Sequence, residues 1–373
     1  MRQWPMVTMS ELFHLEKGKI GIKAATPGAF PLVTTGGAYL SHIEPHFSGD
    51  SICIPLISAT GHGHASLKRL HHIEGDFAVG SILCACVNRA PDRVWARYAY
   101  YFLSACKDSV LIPLMQGTAN MSMKVSDIAR VSIPLPPLAQ QQAIVRRLDT
   151  LTHKTREVND HLDAIERDAD RLLRAHIFCP PGETPVRKPM SELLTLRQPD
   201  IRVDRLQRYH FAGVYSFGRG VFASVSKDGG EFAYERLSTV YAGDFTYPKL
   251  MAWEGAMGIV PPECDGLVVS PEFPVFTVNT YEVLPEVLDI YFRTPDVWPQ
   301  IADISGGTNV RRRRVQPSAF LRYEMPIPSM RTQLKIRELY RYIQALKTRH
   351  ATIRKANDAL IPATLERMFS GTN

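Results

Sequence analysis

The sequence predicts an α+β protein with two globular domains, arranged by pseudo-two-fold duplication and separated by two long antiparallel coiled-coil helices. Three observations predict this fold class. A central stretch repeats apolar residues with the 3.5-residue period of a coiled coil, and a second such stretch ends the chain. Short motifs also recur in the same order in the two halves, which indicates an internal duplication.

The first long helix is predicted from Leu138 to Phe178. Prolines at 134, 136 and 137 keep the preceding chain extended, and Cys179-Pro180-Pro181-Gly182 cannot continue a helix. At about 1.5 Å per residue the helix is on the order of 60 Å long, which suits a spacer. Thr155 interrupts an apolar seam that consists of Ile144, Leu148, Leu151, Val158, Leu162, Ile165 and Leu172.

The second long helix follows from a repeat of the first. Residues 131–148 align with residues 323–340, so that Pro134 matches Pro326 and Gln141 matches Gln333. Because each helix would otherwise expose its apolar stripe, we expect the two to pack on each other. His350 and Asn357 interrupt the second seam, which consists of Ile336, Leu339, Ile343, Leu346, Ile353 and Leu360.

The globular segments look like distant copies of each other. Ser10-Glu11-Leu12 recurs as Ser191-Glu192-Leu193, and Gly117-Thr118 recurs as Gly307-Thr308. Short β-type runs and short amphipathic helices predict a modest sheet in each copy. The predicted division is a first domain (1–137), a central helix with its linker (138–182), a second domain (183–328) and a distal helix (329–373).

The charge of +7 over 373 residues suggests a polyanionic partner, but the globular segments are not generically basic. Residues 1–137 carry 12 basic and 9 acidic side chains, and residues 179–328 carry 16 and 18. Any nucleic-acid contact must therefore come from local clusters. Six cysteines without a framework spacing indicate reduced thiols and a cytoplasmic protein, and no apolar run is long enough to predict a membrane span.

No catalytic residue is predicted, because nucleotide-binding, hydrolase and zinc-protease motifs are missing from the sequence. The best metal-like group combines H-x-H and C-x-C spacings that are not typical of zinc sites. We therefore predict no metal site and interpret its histidines as loop or surface residues. The group consists of His62, His64, His71, His72, Cys84 and Cys86.

The strongest candidates for DNA contact are Arg311, Arg312, Arg313 and Arg314, which follow the small polar residues Thr308 and Asn309. Arginine suits both guanine recognition and phosphate contact. The matching loop of the first domain, Gly117 to Lys124, includes Thr118 and Asn120 and also ends in a basic residue. Further candidates, each of which could instead be an ordinary surface residue, are Thr34, Thr35, Lys68, Arg69, Arg89, Arg219, Lys227, Tyr247 and Lys249.

The arrangement of globule, Pro-Leu-Pro-Pro-Leu-x-x-Gln helix, globule and Pro-Ile-Pro helix resembles the specificity subunit of type I restriction–modification systems. The resemblance covers essentially the whole chain, and its most specific residues are 133–141, Gly117-Thr118, Gly307-Thr308 and 326–328. Family members usually have Glu-Gln where this chain has Gln140-Gln141 and Thr332-Gln333, which makes the choice of partner harder to predict.

The resemblance implies a non-catalytic DNA-recognition subunit. Each globule would be a target-recognition domain for one half of a bipartite, asymmetric site in double-stranded DNA, and the helices would set the spacer. Two modification subunits would carry S-adenosylmethionine and methylate adenine N6, and restriction or translocase subunits would use ATP and Mg²⁺. No cofactor is expected in this chain.

Three alternatives remain open on the sequence. The chain could serve a methyltransferase-only or other phage-defence complex. It could be a metal-dependent nuclease that uses the histidine and cysteine group, which bound zinc or metal-dependent cleavage would indicate. It could also be a coiled-coil scaffold without a DNA role, in which case the helices would form a dimer seam.

Overall fold

The structure, a computed structural model, divides the chain into two compact units. Unit 1 comprises residues 1–160 and 352–373, and unit 2 comprises residues 161–351. Each unit thus holds one globular part and a portion of both long helices. The predicted domain boundaries at residues 137, 182 and 328 stay a prediction. The structure describes residues 4–60, 64–118, 120–306 and 313–369.

In its described residues, unit 1 contains ten short strands, three short helices, the beginning of the first long helix and the end of the second. The helices are α1 (Met9–Leu12), α2 (Ala96–Val110), α3 (Val125–Ala129) and α4 (Leu138–Phe178). The strands are β1 (Met6–Thr8), β2 (Phe13–Lys17), β3 (Phe30–Val33), β4 (Leu40–His42), β5 (Phe47–Ser48), β6 (Ser51–Pro55), β7 (His71–Ile73), β8 (Asp76–Val79), β9 (Leu83–Asn88) and β10 (Ser132–Pro134).

Unit 2 follows a similar plan and ends with most of the second long helix. Its helices are α5 (Met190–Leu193), α6 (Pro285–Phe292), α7 (Trp298–Asp303), α8 (Pro317–Phe320) and α9 (Met330–Phe369). Its strands are β11 (Val186–Pro189), β12 (Leu194–Leu196), β13 (Ile201–Arg202), β14 (Arg208–Tyr215), β15 (Gly220–Asp228), β16 (Arg236–Thr239), β17 (Phe245–Thr246), β18 (Gly258–Ile259), β19 (Val268–Val269), β20 (Val275–Val278) and β21 (Glu324–Ile327).

The two units share one topology, which agrees with the predicted duplication. A four-stranded sheet has the order β2-β9-β6-β7 in unit 1 and the matching order β12-β20-β17-β18 in unit 2. The strand before each long helix pairs with the first strand of its unit, as β1 with β10 and β11 with β21. A second sheet differs, since unit 1 has β4-β3-β8-β5 and unit 2 has β13-β16-β19-β14-β15. The framework is thus repeated, and the second sheet distinguishes the units.

Both long helices contribute side chains to the core of each unit. The largest core of unit 1 includes Leu148 of α4 and Phe369 of α9, and the rings of Phe102 and Phe369 meet edge to face at 5.2 Å. The largest core of unit 2 includes Ile177 of α4 and Ile336 of α9. The helices are therefore part of each domain's core, and their positions are fixed by packing.

A buried glutamine anchors the start of each long helix to its own domain. The Gln141 amide donates to the carbonyl oxygens of Pro136 at 2.8 Å and Arg93 at 2.9 Å, and its oxygen accepts the Trp95 N–H at 2.9 Å. Gln333 repeats this arrangement in unit 2 with Pro328, Glu282 and Leu284 at 2.9–3.0 Å. Both side chains are almost completely buried. The glutamine of the repeated motif thus fixes where the helix starts and how it is rotated.

The predicted seam of the long helices is half correct. Leu148 and Leu162 of α4 are buried, as are Ile336 and Ile343 of α9, and Ile144, Leu151, Leu339 and Leu346 are half-buried. The other five predicted residues lie at the surface, because the observed seam uses a column of positions one residue further along each helix. These exposed residues are Val158, Ile165, Leu172, Ile353 and Leu360.

Polar pairs occupy part of the observed seam. Within unit 1, Asn357 donates to the side chain of Asn159 at 3.2 Å. Within unit 2, His350 Nδ1 lies 2.8 Å from Glu166, and Lys347 donates to Asp170 at 2.8 Å. Apolar periodicity could not reveal these layers, since half of their members are charged.

The predicted α+β fold class with two domains and long helices is confirmed. Among the described residues, no helix has both the length and the apolar character that crossing a membrane requires.

Candidate DNA interface

The structure gathers three of the predicted contact residues at one cleft in the first domain. Thr35, Lys68 and Arg69 line a cleft of about 300 Å³ together with Gly36, Ser58 and several apolar side chains. The two basic side chains are exposed. Thr34 is different: it is only 5% exposed, and its hydroxyl accepts the Gly36 N–H at 3.3 Å. The prediction that Thr34 contacts DNA is therefore wrong, because Thr34 shapes the turn beneath the cleft.

The Gly117 loop lies next to this cleft. Gln116 and Ser122 close it with two backbone hydrogen bonds of 2.8 and 2.9 Å. Gly117 has φ +130°, and a Cβ there would lie 2.7 Å from the Asn120 carbonyl oxygen, so glycine is required. The Ser58 N–H donates to the Met121 carbonyl at 2.8 Å, which holds the loop against the rim of the cleft.

Four of the predicted residues are available on and after this loop. Gly117, Thr118 and Asn120 are exposed at its tip, and the exposed Lys124 precedes α3. The Asp127 carboxylate accepts the Lys124 backbone N–H at 3.4 Å. The loop therefore presents small polar groups and one cation to solvent.

Arg89 is used within the fold. Its guanidinium donates to the carbonyl oxygens of Ser10 and Glu11, at 3.4 Å in the case of Glu11. These bonds join the strand end after β9 to the short helix α1. Arg89 is exposed, but its donors are partly engaged, and its role as a DNA contact stays a prediction.

The second domain has a matching loop after α7. Gly306 and Arg314 close it with backbone bonds of 3.0 and 2.9 Å, and Val315 N–H donates to the Lys249 carbonyl at 2.9 Å. Met123 N–H makes the same bond to the Leu56 carbonyl in the first domain. Four of the predicted residues lie outside the described residues, namely Thr308, Asn309, Arg311 and Arg312.

The basic side chains around the second loop are partly paired. The Arg314 guanidinium forms a 3.1 Å ion pair with Glu272, and Lys249 Nζ donates to the Pro271 carbonyl at 2.9 Å. Arg313 is half-exposed. The ion pair is at the surface and is worth little, so Arg314 could exchange it for a phosphate.

Tyr247 is not a surface residue. It is fully buried, and its ring lies 4.9 Å from that of Phe320 and 5.9 Å from that of Phe276. Burial raises the pKa of its phenol. The predicted DNA contact is wrong, because an aromatic residue beside a lysine resembles a surface site in sequence, whereas here it fills the core.

A long hairpin displays the remaining two predicted residues. Strands β14 and β15 pair antiparallel with a shift of register between His210 and Ala212, and β15 is an edge strand of its sheet. Lys227 is exposed on β15, and the Arg219 guanidinium lies 4.6 Å from the ring centre of Tyr215 in a cation–π contact. Sequence analysis missed this ribbon, although alternating residues on both sides of a Phe217-Gly218 turn were a signal for it.

The histidine and cysteine group does not come together as one site in the described residues. His62 lies outside them. Cys84 and Cys86 are fully buried with sulfurs 3.9 Å apart, and neighbouring Cys84 and burial raise the pKa of Cys86. Burial and the nearby Arg69 lower the pKa of His71.

His72 belongs to a structural link, and His64 is an exposed residue. His72 Nε2 lies 2.7 Å from Asp50, whose other oxygen accepts the Ala96 N–H at 3.1 Å. Glu74 is 3.7 Å from the same nitrogen. Within the described residues this is the only group of three such side chains close enough to share a metal ion. Its geometry ties β7 to the start of α2 without any ion.

Residues 1–167 match the model of the type I restriction modification DNA specificity domain. Over these residues the chain is similar to the DNA specificity domain of type I restriction–modification systems. No curated protein matches the chain.

The fold of the chain is similar to that of a solved protein of a type I R-M system. One such structure was solved to explain complex assembly and conformational transition of the type I R-M system. Its TM-score is 0.61 at 13% identity, and the match covers 99% of this chain and 98% of that chain. The type I restriction–modification S subunit from M. genitalium has a TM-score of 0.49 at 14% identity, and the match covers 96% of this chain and 95% of that chain. The HsdS subunit from Thermoanaerobacter tengcongensis has a TM-score of 0.48 at 14% identity, and the match covers 98% of this chain and 94% of that chain.

Proposed function

We propose that this chain is the DNA sequence-recognition subunit of a type I restriction–modification complex. Each globular domain reads one half of a bipartite, asymmetric site in double-stranded DNA, and the two long helices set the unread spacer. The observation that carries the proposal is the repeated framework, in which each domain has a pair of backbone hydrogen bonds that closes a loop and is joined to a long helix by a buried glutamine.

Rigid attachment of the domains is what such a reader needs. Two half-sites on B-DNA lie at a fixed axial distance, so the two reading surfaces must also be fixed. The glutamine anchors and the cores that each domain shares with both helices attach each domain to its helices through buried, packed residues. Few basic residues suffice, since phosphate contacts position a protein and only a small number of base contacts specify the sequence.

The chemistry belongs to partner subunits in this proposal. Two modification subunits bind S-adenosylmethionine and methylate adenine N6, and restriction or translocase subunits use ATP and Mg²⁺. The exposed apolar columns of the long helices support protein partners, because apolar residues at heptad spacing on a helix surface are typical of helix-to-helix contacts. These columns include Val158, Ile165 and Leu172 on α4 and Ile353 and Leu360 on α9.

Methylation mapping tests the proposal. A genome is sequenced for modified adenine with and without this chain, in the presence of its cognate modification subunits. We expect a methylated motif of two short halves with a fixed gap, which disappears when the chain is deleted. An identical methylation pattern in both strains would contradict the proposal.

A further inference from the structure

The cleft formed by Thr35, Lys68 and Arg69 differs in charge from four other clefts in the described part of the chain. Its lining contains two cations and no carboxylate. Four further clefts of about 270 to 470 Å³ are each lined by at least one aspartate or glutamate, such as Asp170 or Asp149. A cleft with uncompensated positive charge favours an anion.

The two cations are also free to bind. In the part of the chain that the structure describes, neither Lys68 nor Arg69 forms an ion pair, whereas Arg97, Arg197 and Arg314 each have a carboxylate within 3.1 Å. An anion at the cleft would not have to displace an existing partner. The neighbouring Thr35 offers an exposed hydroxyl or backbone group as a further donor.

A glycine leaves room for the arginine that lines the cleft. Arg69 Nη1 comes so close to Gly37 that a Cβ at that position would overlap it. Gly37 follows the turn that Thr34 closes through the Gly36 N–H. The missing Cβ at Gly37 therefore leaves the space that Arg69 Nη1 occupies.

From these observations we propose that the cleft clamps one backbone phosphate of duplex DNA and does not read a base. This inference rests on the proposed function. Phosphates form the outer ridges of B-DNA and fit a concave cationic surface, whereas base edges lie in a groove about 8.5 Å deep and need a protruding element. A volume of 300 Å³ equals about ten waters, enough for one phosphodiester group with part of its sugars.

Salt dependence of DNA binding tests the clamp. The assembled complex of the full chain with its modification subunits is titrated onto a duplex with the mapped motif and onto one with both half-sites scrambled. For the Lys68→Ala/Arg69→Ala variant we expect the slope of log K against log salt to fall by about 0.9, the value for one phosphate. Between about 50 and 200 mM salt the variant then loses roughly 3.5-fold less affinity than the native chain.

Two controls and the methylated motif complete the test. A Lys107→Ala/Arg130→Ala variant removes the same charge from the same domain outside the cleft and should keep the native slope. Lys68→Arg/Arg69→Lys should also keep it, because a phosphate accepts either cation. The methylated motif should stay unchanged in all three variants.

Several results would overturn the clamp. An unchanged slope in the alanine variant, an equal fall in the control, or a relaxed base at one motif position would each do so. If the native complex binds neither duplex in a salt-dependent way, the proposed function itself fails. If the native complex binds DNA in a salt-dependent way and the alanine variant has the native slope, the clamp is refuted and the proposed function is not.

Discussion

Replacing Gln141 by alanine should loosen the joint between the first domain and its long helix. The Gln141 side chain is fully buried and makes three hydrogen bonds of 2.8–2.9 Å to backbone groups of Pro136, Arg93 and Trp95. Alanine removes all three bonds at once and leaves two carbonyls and one N–H without their partner.

The magnitude follows from those three groups. An unsatisfied buried polar group costs about 1–3 kcal/mol, and water that enters the vacated space recovers part of this. We therefore expect a loss of about 3 kcal/mol in the free energy that holds the joint closed. Since 1.4 kcal/mol corresponds to a factor of ten, amide hydrogen exchange near the joint should become roughly a hundredfold faster.

Hydrogen exchange followed by mass spectrometry on peptides covering residues 93–98 measures this directly. Gln142, the next residue on the same helix, is exposed and supplies a matched control, because Gln142→Ala removes the same atoms without breaking these bonds. The exchange rate of Gln142→Ala should stay within about a factor of two of the native rate, because a surface substitution changes stability by only about 0.5 kcal/mol. Equal exchange in the two variants would refute the anchoring role of Gln141.

Two further predictions concern burial. Tyr247→Phe should leave DNA binding unchanged and should leave the free energy of unfolding unchanged or raise it by up to about 1 kcal/mol, because the buried hydroxyl has no partner among the described residues. DNA titration and urea unfolding measure the two quantities. Weaker DNA binding at native stability would show that Tyr247 reaches DNA. Leu148→Ala should cost about 3 kcal/mol in urea unfolding, whereas Val158→Gln should stay within about 0.5 kcal/mol, because Leu148 is fully buried and Val158 is 38% exposed. Equal costs would place Val158 in the seam.

The sequence was sufficient for the long helices and the duplication because both leave local signals. Proline and glycine mark the ends of α4, which begins and ends at the predicted residues Leu138 and Phe178. The repeated Pro-x-Pro entry corresponds to the paired strands β10 and β21, each followed directly by a long helix. Such features depend on neighbouring residues and can be recognised without knowledge of tertiary contacts.

The candidate interface was predicted less well, since surface access depends on contacts between distant residues. Lys68 and Arg69 come together with Thr35 only because β3 and the loop before β7 meet at the cleft. Tyr247 faces the core because β17 pairs with β20 and packs under α8. Neither of these tertiary contacts can be recognised from the local sequence around the residues.

The seam of the long helices shows how a domain contact can select among helix faces. In α4 the seam uses the column of Leu148 and Leu162, as predicted. The prediction combined this column with the neighbouring apolar column of Val158, Ile165 and Leu172, which is exposed. The structure uses the other column, which starts at Val145 and includes Asn159 and Glu166.

Gln141 explains this choice. Its three backbone bonds fix the rotation of α4, so Val145 and Leu148, which begin the two buried columns one and two turns later, must then face inward. Gln333 fixes α9 in the same way, with Ile336 following it inward. Polar pairs in the seam cost stability but specify register, as a single buried asparagine does in other coiled coils. The rotation that the domains impose therefore decides which apolar column is buried and which remains at the surface.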